Sequence, residues 1–184
     1  MTNIYQLFEE DHTSIKDLSE LLSLTNEHEL NKRILLFDEL TKRLRIHSSL
    51  EEIFFYNELE KIDNNTIEEI NFAKKEHEAI EKQFEKLDDI EKSDPSWLNL
   101  FNNIRHSLIA HFKKEEAILF KMAQALFSQE KLEDIYIKVR NIRDSSIENL
   151  ILVKDKIREI TKNDEKNVPS YSEENLYDLQ VKGF

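Results

Sequence analysis

HFKKEEAILF, residues 111–120, decides the fold because residues 47–55 read HSSLEEIFF. Each stretch sets a histidine, three spacers, two glutamates and an apolar run in one order. The repeat is longer than the motif: His12 to His77 spans 65 positions, His47 to His111 spans 64, and Glu51 to Glu115 spans 64. The chain therefore carries one pattern twice, a lone histidine on one helix and H-x-x-x-E on the next. Each copy is a helix pair, and two pairs make a four-helix bundle.

Apolar spacing near 3.6 residues outlines the helices around these motifs. The first covers about residues 3–24, with Ile4, Phe8, Ile15, Leu18 and Leu22 on one stripe that also holds His12. The second covers about 30–62, with Ile34, Phe37, Leu44, Phe54 and Ile62 around His47 and Glu51, and ends at IDNNT, a cluster of turn-forming residues. The third covers about 66–91, where Ile67, Ile70, Ile80, Phe84 and Leu87 surround His77. SDPSW then predicts a helix start with Asp94 as N-cap and Pro95 at the first helical position. The fourth helix runs to about 127, with Ile104, Leu108, Ile118 and Met122 around His111 and Glu115.

A fifth amphipathic segment, about 130–162, repeats Leu132, Ile135, Val139, Ile142, Leu150, Val153, Ile157 and Ile160 but contains no histidine. The expected fold is all-α: an up-down-up-down bundle with an additional C-terminal helix. Residues 1–127 form the bundle domain, and residues 128–184 a helix and polar tail.

Composition agrees. One glycine, two prolines and 35% charged residues describe long helices with few turns, and no alternating β-branched run marks a strand. A net charge of −12 argues against nucleic acid and anionic lipid as partners. No apolar run approaches the roughly 18 residues of a membrane span. The first residues, MTNIYQLFEEDH, lack a signal-peptide layout. With no cysteine, disulfides and thiolate sites are excluded, and the expected location is cytoplasmic.

In each of the first four helices a polar residue interrupts an apolar stripe. Residues i and i+4 share a helix face, about 6 Å apart along the axis at 1.5 Å per residue. His47 with Glu51, and His111 with Glu115, can each aim at one point. Counting from the turns puts His77 level with both pairs; His12 joins them if part of LTNEHEL is loop. Two buried carboxylates are costly to ionise without a counter-charge. Nitrogen and oxygen donors without sulfur suit iron, manganese or zinc, and such a layer within a bundle is the pattern of di-iron sites. Two metals bridged by both glutamates, each with two histidines, use all six candidate ligands.

The order H…HxxxE…H…HxxxE at His12, His47 with Glu51, His77, and His111 with Glu115 resembles the hemerythrin-like family, the HHE cation-binding domain. So does the context, EHE around His77 and EEAILF ahead of the fourth helix's end. The resemblance covers residues 1 to about 127. It implies two non-haem iron ions with carboxylate bridges and a bridging oxo or hydroxo ligand. Members of the family carry or sense oxygen, sense iron, or respond to nitric oxide and peroxide. Two departures stand out. Oxygen carriers have H-x-x-x-H on the third helix, and Ala73 falls where the first of those histidines would lie. They also place the last carboxylate five residues after its histidine, at Glu116 here; the repeat with Glu51 favours Glu115. The ligand missing at Ala73 leaves a position for water, Glu81 or an exogenous molecule.

Taken one at a time, these residues have plainer readings. A lone H-x-x-x-E is usually a surface ion pair, and His12 or His77 alone would be a hydrogen-bonded core histidine. The repeat and the inner-face placement outweigh both. His28 and His106 lie off the stripes and read as surface residues. Phe8, Phe54, Phe55 and Phe84 read as core beside the layer, and Tyr5, two turns before His12, as a candidate neighbour of the ligands. Three functions compete: a module that binds or senses oxygen or nitric oxide, a di-iron enzyme or repair protein acting on peroxide, nitric oxide or damaged iron–sulfur clusters, and a metal-free helical interaction protein. With no fused output domain in the chain, the first needs a protein partner or self-association, for which the fifth helix is the candidate surface.

Overall fold

The computed structural model describes residues 3–145. Helix α1, Ile4–Ser23, starts at a reciprocal cap in which the Asn3 side chain accepts from the Gln6 backbone and the Gln6 side chain accepts from that of Asn3. After a loop comes α2, Leu30–Leu50, which continues through one wide π turn, Glu51–Tyr56, into α3, Asn57–Ile62. A 3₁₀ turn at Asn64–Thr66, capped by Asp63, occupies the predicted IDNNT turn. Helix α4 is Ile67–Asp88; α5, Trp97–Ala117, breaks at Ile118 and resumes as α6, Leu119–Leu126. Helix α7 covers residues 129–145; the rest of the predicted fifth helix and the tail lie outside the described residues.

Helix α1 packs on α2 and α5, while α4 packs on α5 and α2, closing the predicted four-helix bundle, with α7 as the additional C-terminal helix. No strand occurs among the described residues. LTNEHEL is mostly loop, as the meeting of His12 and His47 requires.

Two apolar clusters fill the bundle. One gathers Ile4, Phe8, Phe55, Tyr56, Ile70 and Phe120, and Ile135 and Val139 of α7 pack onto it. The other gathers Ile15, Leu22, Phe37, Leu40, Phe84, Trp97, Phe101 and Phe112. Between them lies the layer of histidines and glutamates.

Four predicted stripe residues among those described are exposed: Ile34, Ile62, Ile67 and Ile142. The inner face of α2 runs through Arg33, Leu36, Phe37, Leu40 and Leu44, and Ile62 and Ile67 flank the turn between α3 and α4. The predicted N-cap also shifts. Asp94 Oδ1 accepts from the backbone and hydroxyl of Ser96, forming a local turn, and the helix begins two residues later at Trp97.

That offset seats the Trp97 indole in the core, where its N–H donates to the Leu87 carbonyl at 3.1 Å. Arg33 lies over the ring and donates to the carbonyls of Asn26 and Lys92, tying both interhelical loops at this end of the bundle. Trp97→Ala removes the ring and orphans the contact, and should cost about 3–5 kcal/mol of unfolding free energy. Urea denaturation checks it; a loss below about 1 kcal/mol would place the tryptophan outside the cooperative core.

Candidate metal centre

All six predicted ligands are buried within the bundle: His12 on α1, His47 at the end of α2, Glu51 in the π turn, His77 on α4, His111 and Glu115 on α5. Their donor atoms form two overlapping groups, His12–His47–Glu51–Glu115 and Glu51–His77–His111, each with all atoms within 4.8 Å. Glu51 belongs to both. Its Oε1 lies 3.1 Å from His47 Nε2 and 3.5 Å from His12 Nε2, while Oε2 lies 3.5 Å from His77 Nε2.

Several of these atoms make no hydrogen bond: His12 Nε2, His47 Nε2, both Glu51 oxygens and Glu115 Oε2. Buried polar atoms ordinarily have partners. The Nε2 atoms of His77 and His111 face each other at 2.8 Å, which a shared proton or a cation must relieve. This donor set fits a pair of cations.

The outer nitrogen of each ring faces a carboxylate. His12 Nδ1 lies 2.7 Å from Glu116, His77 Nδ1 2.8 Å from Glu52, and His111 Nδ1 3.0 Å from Glu76. Donation from Nδ1 leaves Nε2 with its lone pair turned inward, the tautomer a metal needs. His47 Nδ1 has Asp11 Oδ2 at 3.8 Å, close enough for attraction and too long for a direct hydrogen bond. These partners were legible in the repeat but were not read there. An acid precedes each lone histidine (Asp11, Glu76) and follows each ligand-candidate glutamate (Glu52, Glu116).

The alternative carboxylate Glu116 thus lies behind His12, and Glu115 is the one turned inward. Glu81, considered as a filler ligand, is half-exposed and paired with Arg45 at 3.1 Å. Tyr5 is buried against Phe55 and Phe120 and touches no candidate ligand. The tyrosine that does is Tyr56, unnoticed in the sequence: its hydroxyl donates to Glu115 Oε1 at 2.7 Å, and its ring stacks on His77. Its signal was position, five residues after Glu51, which the π turn brings round toward the same face. Phe112 was also missed; it stacks on His12 with ring centroids 4.1 Å apart. Phe8 and Phe55 lie beside the layer as expected, whereas Phe84 belongs to the cluster beyond it. His28 and His106 are exposed and belong to neither donor group.

The hemerythrin HHE cation-binding domain model matches residues 3–123. The chain belongs to that family. A solved hemerythrin HHE cation-binding domain-containing protein from Mycobacterium kansasii is 26% identical, with a TM-score of 0.68 over 82% of this chain and 93% of that one. No curated protein matches.

Within this hemerythrin domain the electrostatics are those of a site built for positive charge. Burial disfavours the imidazolium of His47, but Glu51 and Asp11 outweigh it and lift its pKa to about 10. Burial opposes His77 too, and Glu51 with Glu52 raises it to about 9. Glu51 is held well below the usual carboxylate range: burial pushes it up, and the surrounding histidines override that. Burial and the neighbouring His77 push His111 down. Burial and the carboxylates of Glu51 and Glu115 keep the Tyr56 hydroxyl protonated.

A histidine raised above its ordinary 6.5 stabilises the fold fully below that pH, and the contribution is lost as pH climbs through the folded value. For His77 and His47 the loss ends near pH 9 and 10. His111, shifted down, acts in the opposite sense only below 6.5. The metal-free protein should therefore unfold at lower denaturant at pH 10 than at pH 6.5. Midpoints that coincide at the two pH values would contradict this reading of the layer.

Proposed function

We propose that the chain is a non-haem di-iron protein that binds or senses a small ligand, oxygen or nitric oxide, at an iron pair joined by Glu51 and Glu115. His12 and His47 would hold one ion, His77 and His111 the other. The observation that carries this is the sharing of Glu51 between two donor groups whose inward atoms lack hydrogen-bond partners. Iron bound there would supply reversible coordination of a small molecule and exchange of electrons; the residues set where that molecule reaches it.

The two groups are unequal. The one around His77 and His111 offers three donors, the one around His12 and His47 four. The three-donor side borders a cavity of about 490 Å³ between α2 and α4, lined by Leu44, Ser48, Glu52, His77, Phe84 and His111 among others. At Ala73, where a fifth histidine would stand in an oxygen carrier, the gap is only about 10 Å³, near the lower limit for one water. Entry by the α2–α4 cleft is the reading this favours. The repeat explains the cleft. Ser48 occupies the position that Phe112 holds in the second half; Phe112 covers His12, and Ser48 leaves the His77 side open.

An enzymatic reading, reduction of peroxide or nitric oxide at the same pair, draws on the same cleft, whose polar lining includes Thr41, Ser48, Ser49 and Lys74. Turnover by the reduced protein above the rate of free iron separates it from simple binding. Location in the cytoplasm goes with either reading; no helix among the described residues is long and apolar enough to cross a membrane.

Two experiments test the proposal. Protein expressed with ample iron should carry close to two irons per chain and absorb in the near ultraviolet, and Glu51→Ala should lose both ions because it joins them. Wild-type protein with less than about one metal per chain would favour the metal-free interaction protein instead. Ser48→Phe should keep the iron and slow association of nitric oxide in stopped-flow mixing. Unchanged association would close the α2–α4 cleft as the route.

A further inference from the structure

We infer that Arg143 of α7 is a positioning residue for His47, which makes the C-terminal helix part of the ion site; this rests on the di-iron reading above. Three of the four outer carboxylates, Glu116, Glu52 and Glu76, reach their histidines directly from bundle helices. Asp11 does not. It occupies the repeat position of Glu76 but is one methylene shorter, and its Oδ2 stops 3.8 Å from His47 Nδ1. A carboxylate with so loose a hold on its imidazole needs another group to fix its direction.

Arg143 supplies it. Its Nε donates to Asp11 Oδ1 at 2.6 Å, and its terminal nitrogen lies 3.5 Å from Glu10 Oε2. The guanidinium is mostly buried, and the space enclosed by Asp11, Ser14, Arg43, His47 and Arg143 is only about 10 Å³. With one oxygen fastened, the other is turned toward the ring. Helix α7 is itself anchored by Ile135 and Val139, both fully buried against the first apolar cluster. The chain of contacts from α7 to the layer is thus continuous: docked helix, Arg143, Asp11, His47. It reaches the His12–His47 half and bypasses the His77–His111 half, whose outer carboxylates belong to the π turn and α4.

Thermodynamic reciprocity gives this arrangement a regulatory consequence. If the docked α7 strengthens the ion at His47, that ion must strengthen the docking of α7 by the same factor. Occupancy of one half of the site is therefore reported on the protein surface by a helix outside the bundle.

The test uses the full chain, loaded anaerobically with iron(II) and titrated with a competing chelator. Arg143→Ala should weaken one of the two ions by about tenfold, the usual effect of losing an outer partner, and leave the other unchanged. Arg143→Lys should recover most of the loss, Asp11→Asn should reproduce it in an isosteric side chain, and Arg140→Ala, which removes an exposed cation from the same helix, should do nothing. Hydrogen exchange adds an independent reading: iron should slow exchange at residues 132–143 in wild type, and the slowing should vanish in Arg143→Ala. Equal weakening of both ions, identical affinities in Arg143→Ala and wild type, or iron-independent exchange in α7 would each overturn the inference while the iron pair stands. Wild-type protein that takes up no iron would remove the iron pair and this inference together.

Discussion

The structure depends on keeping two carboxylates and four imidazoles ionically satisfied between two apolar clusters. Glu51 and Glu115 are buried with aromatic rings above and below, where an unpaired carboxylate costs several kcal/mol. The helices cannot slide to relieve it, since Phe8, Phe55 and Phe120 pack on one side and Phe37, Phe84 and Trp97 on the other. Positive charge must come to the layer. Protons on His47 and His77 provide some of it in the metal-free chain. Cations provide it with more charge and more directional bonds, which is why a stabilising core and a binding site coincide here.

The two halves are copies whose differences set the chemistry. Tyr56 and Phe120 occupy equivalent positions, 64 residues apart. Tyr56 ties down one oxygen of Glu115, whereas neither oxygen of Glu51 accepts a hydrogen bond; Glu51 faces histidines of both donor groups and Glu115 falls within one. Ser48 and Phe112 form a second broken pair, opening one histidine pair to a cavity and covering the other. Asp11 and Glu76 form a third, a shorter acid on the side where α7 supplies an arginine. Each substitution pushes the same way: one half of the layer is closed and braced, and the other is accessible.

The bundle, its helix order and all six convergent side chains were legible in the sequence, because a 64-residue repeat with i,i+4 spacing constrains a helical chain at several points at once. Exceptions arose where one residue's surroundings mattered more than periodicity. Ile34, Ile62 and Ile67 match an apolar period but lie off the inner face of α2 or beside the α3–α4 turn. Asp94 has the chemistry of an N-cap and forms a local turn instead, since Ser96 offers it two donors. Tyr56 was hidden by the assumption of a regular α-helix; only the π turn aligns it with Glu51. The outer carboxylates were visible as acids flanking each ligand candidate, but in a chain with 38 acidic residues such neighbours look like ordinary surface charge.

The repeat also explains how those flanking acids are used. The acid before a lone histidine serves the H-x-x-x-E histidine of its own half, as Glu76 serves His111. The acid after a glutamate serves the lone histidine of the other half: Glu52 serves His77 within the second helix pair's reach, and Glu116 reaches back to His12. Orientation of each ring therefore depends on a helix other than its own. No helix pair can build its half of the layer alone, since Glu52 and Glu116 cross between halves and Glu51 is shared. Assembly of the bundle and assembly of the site become one cooperative event. A duplicated sequence achieves that by exchanging its acids between copies.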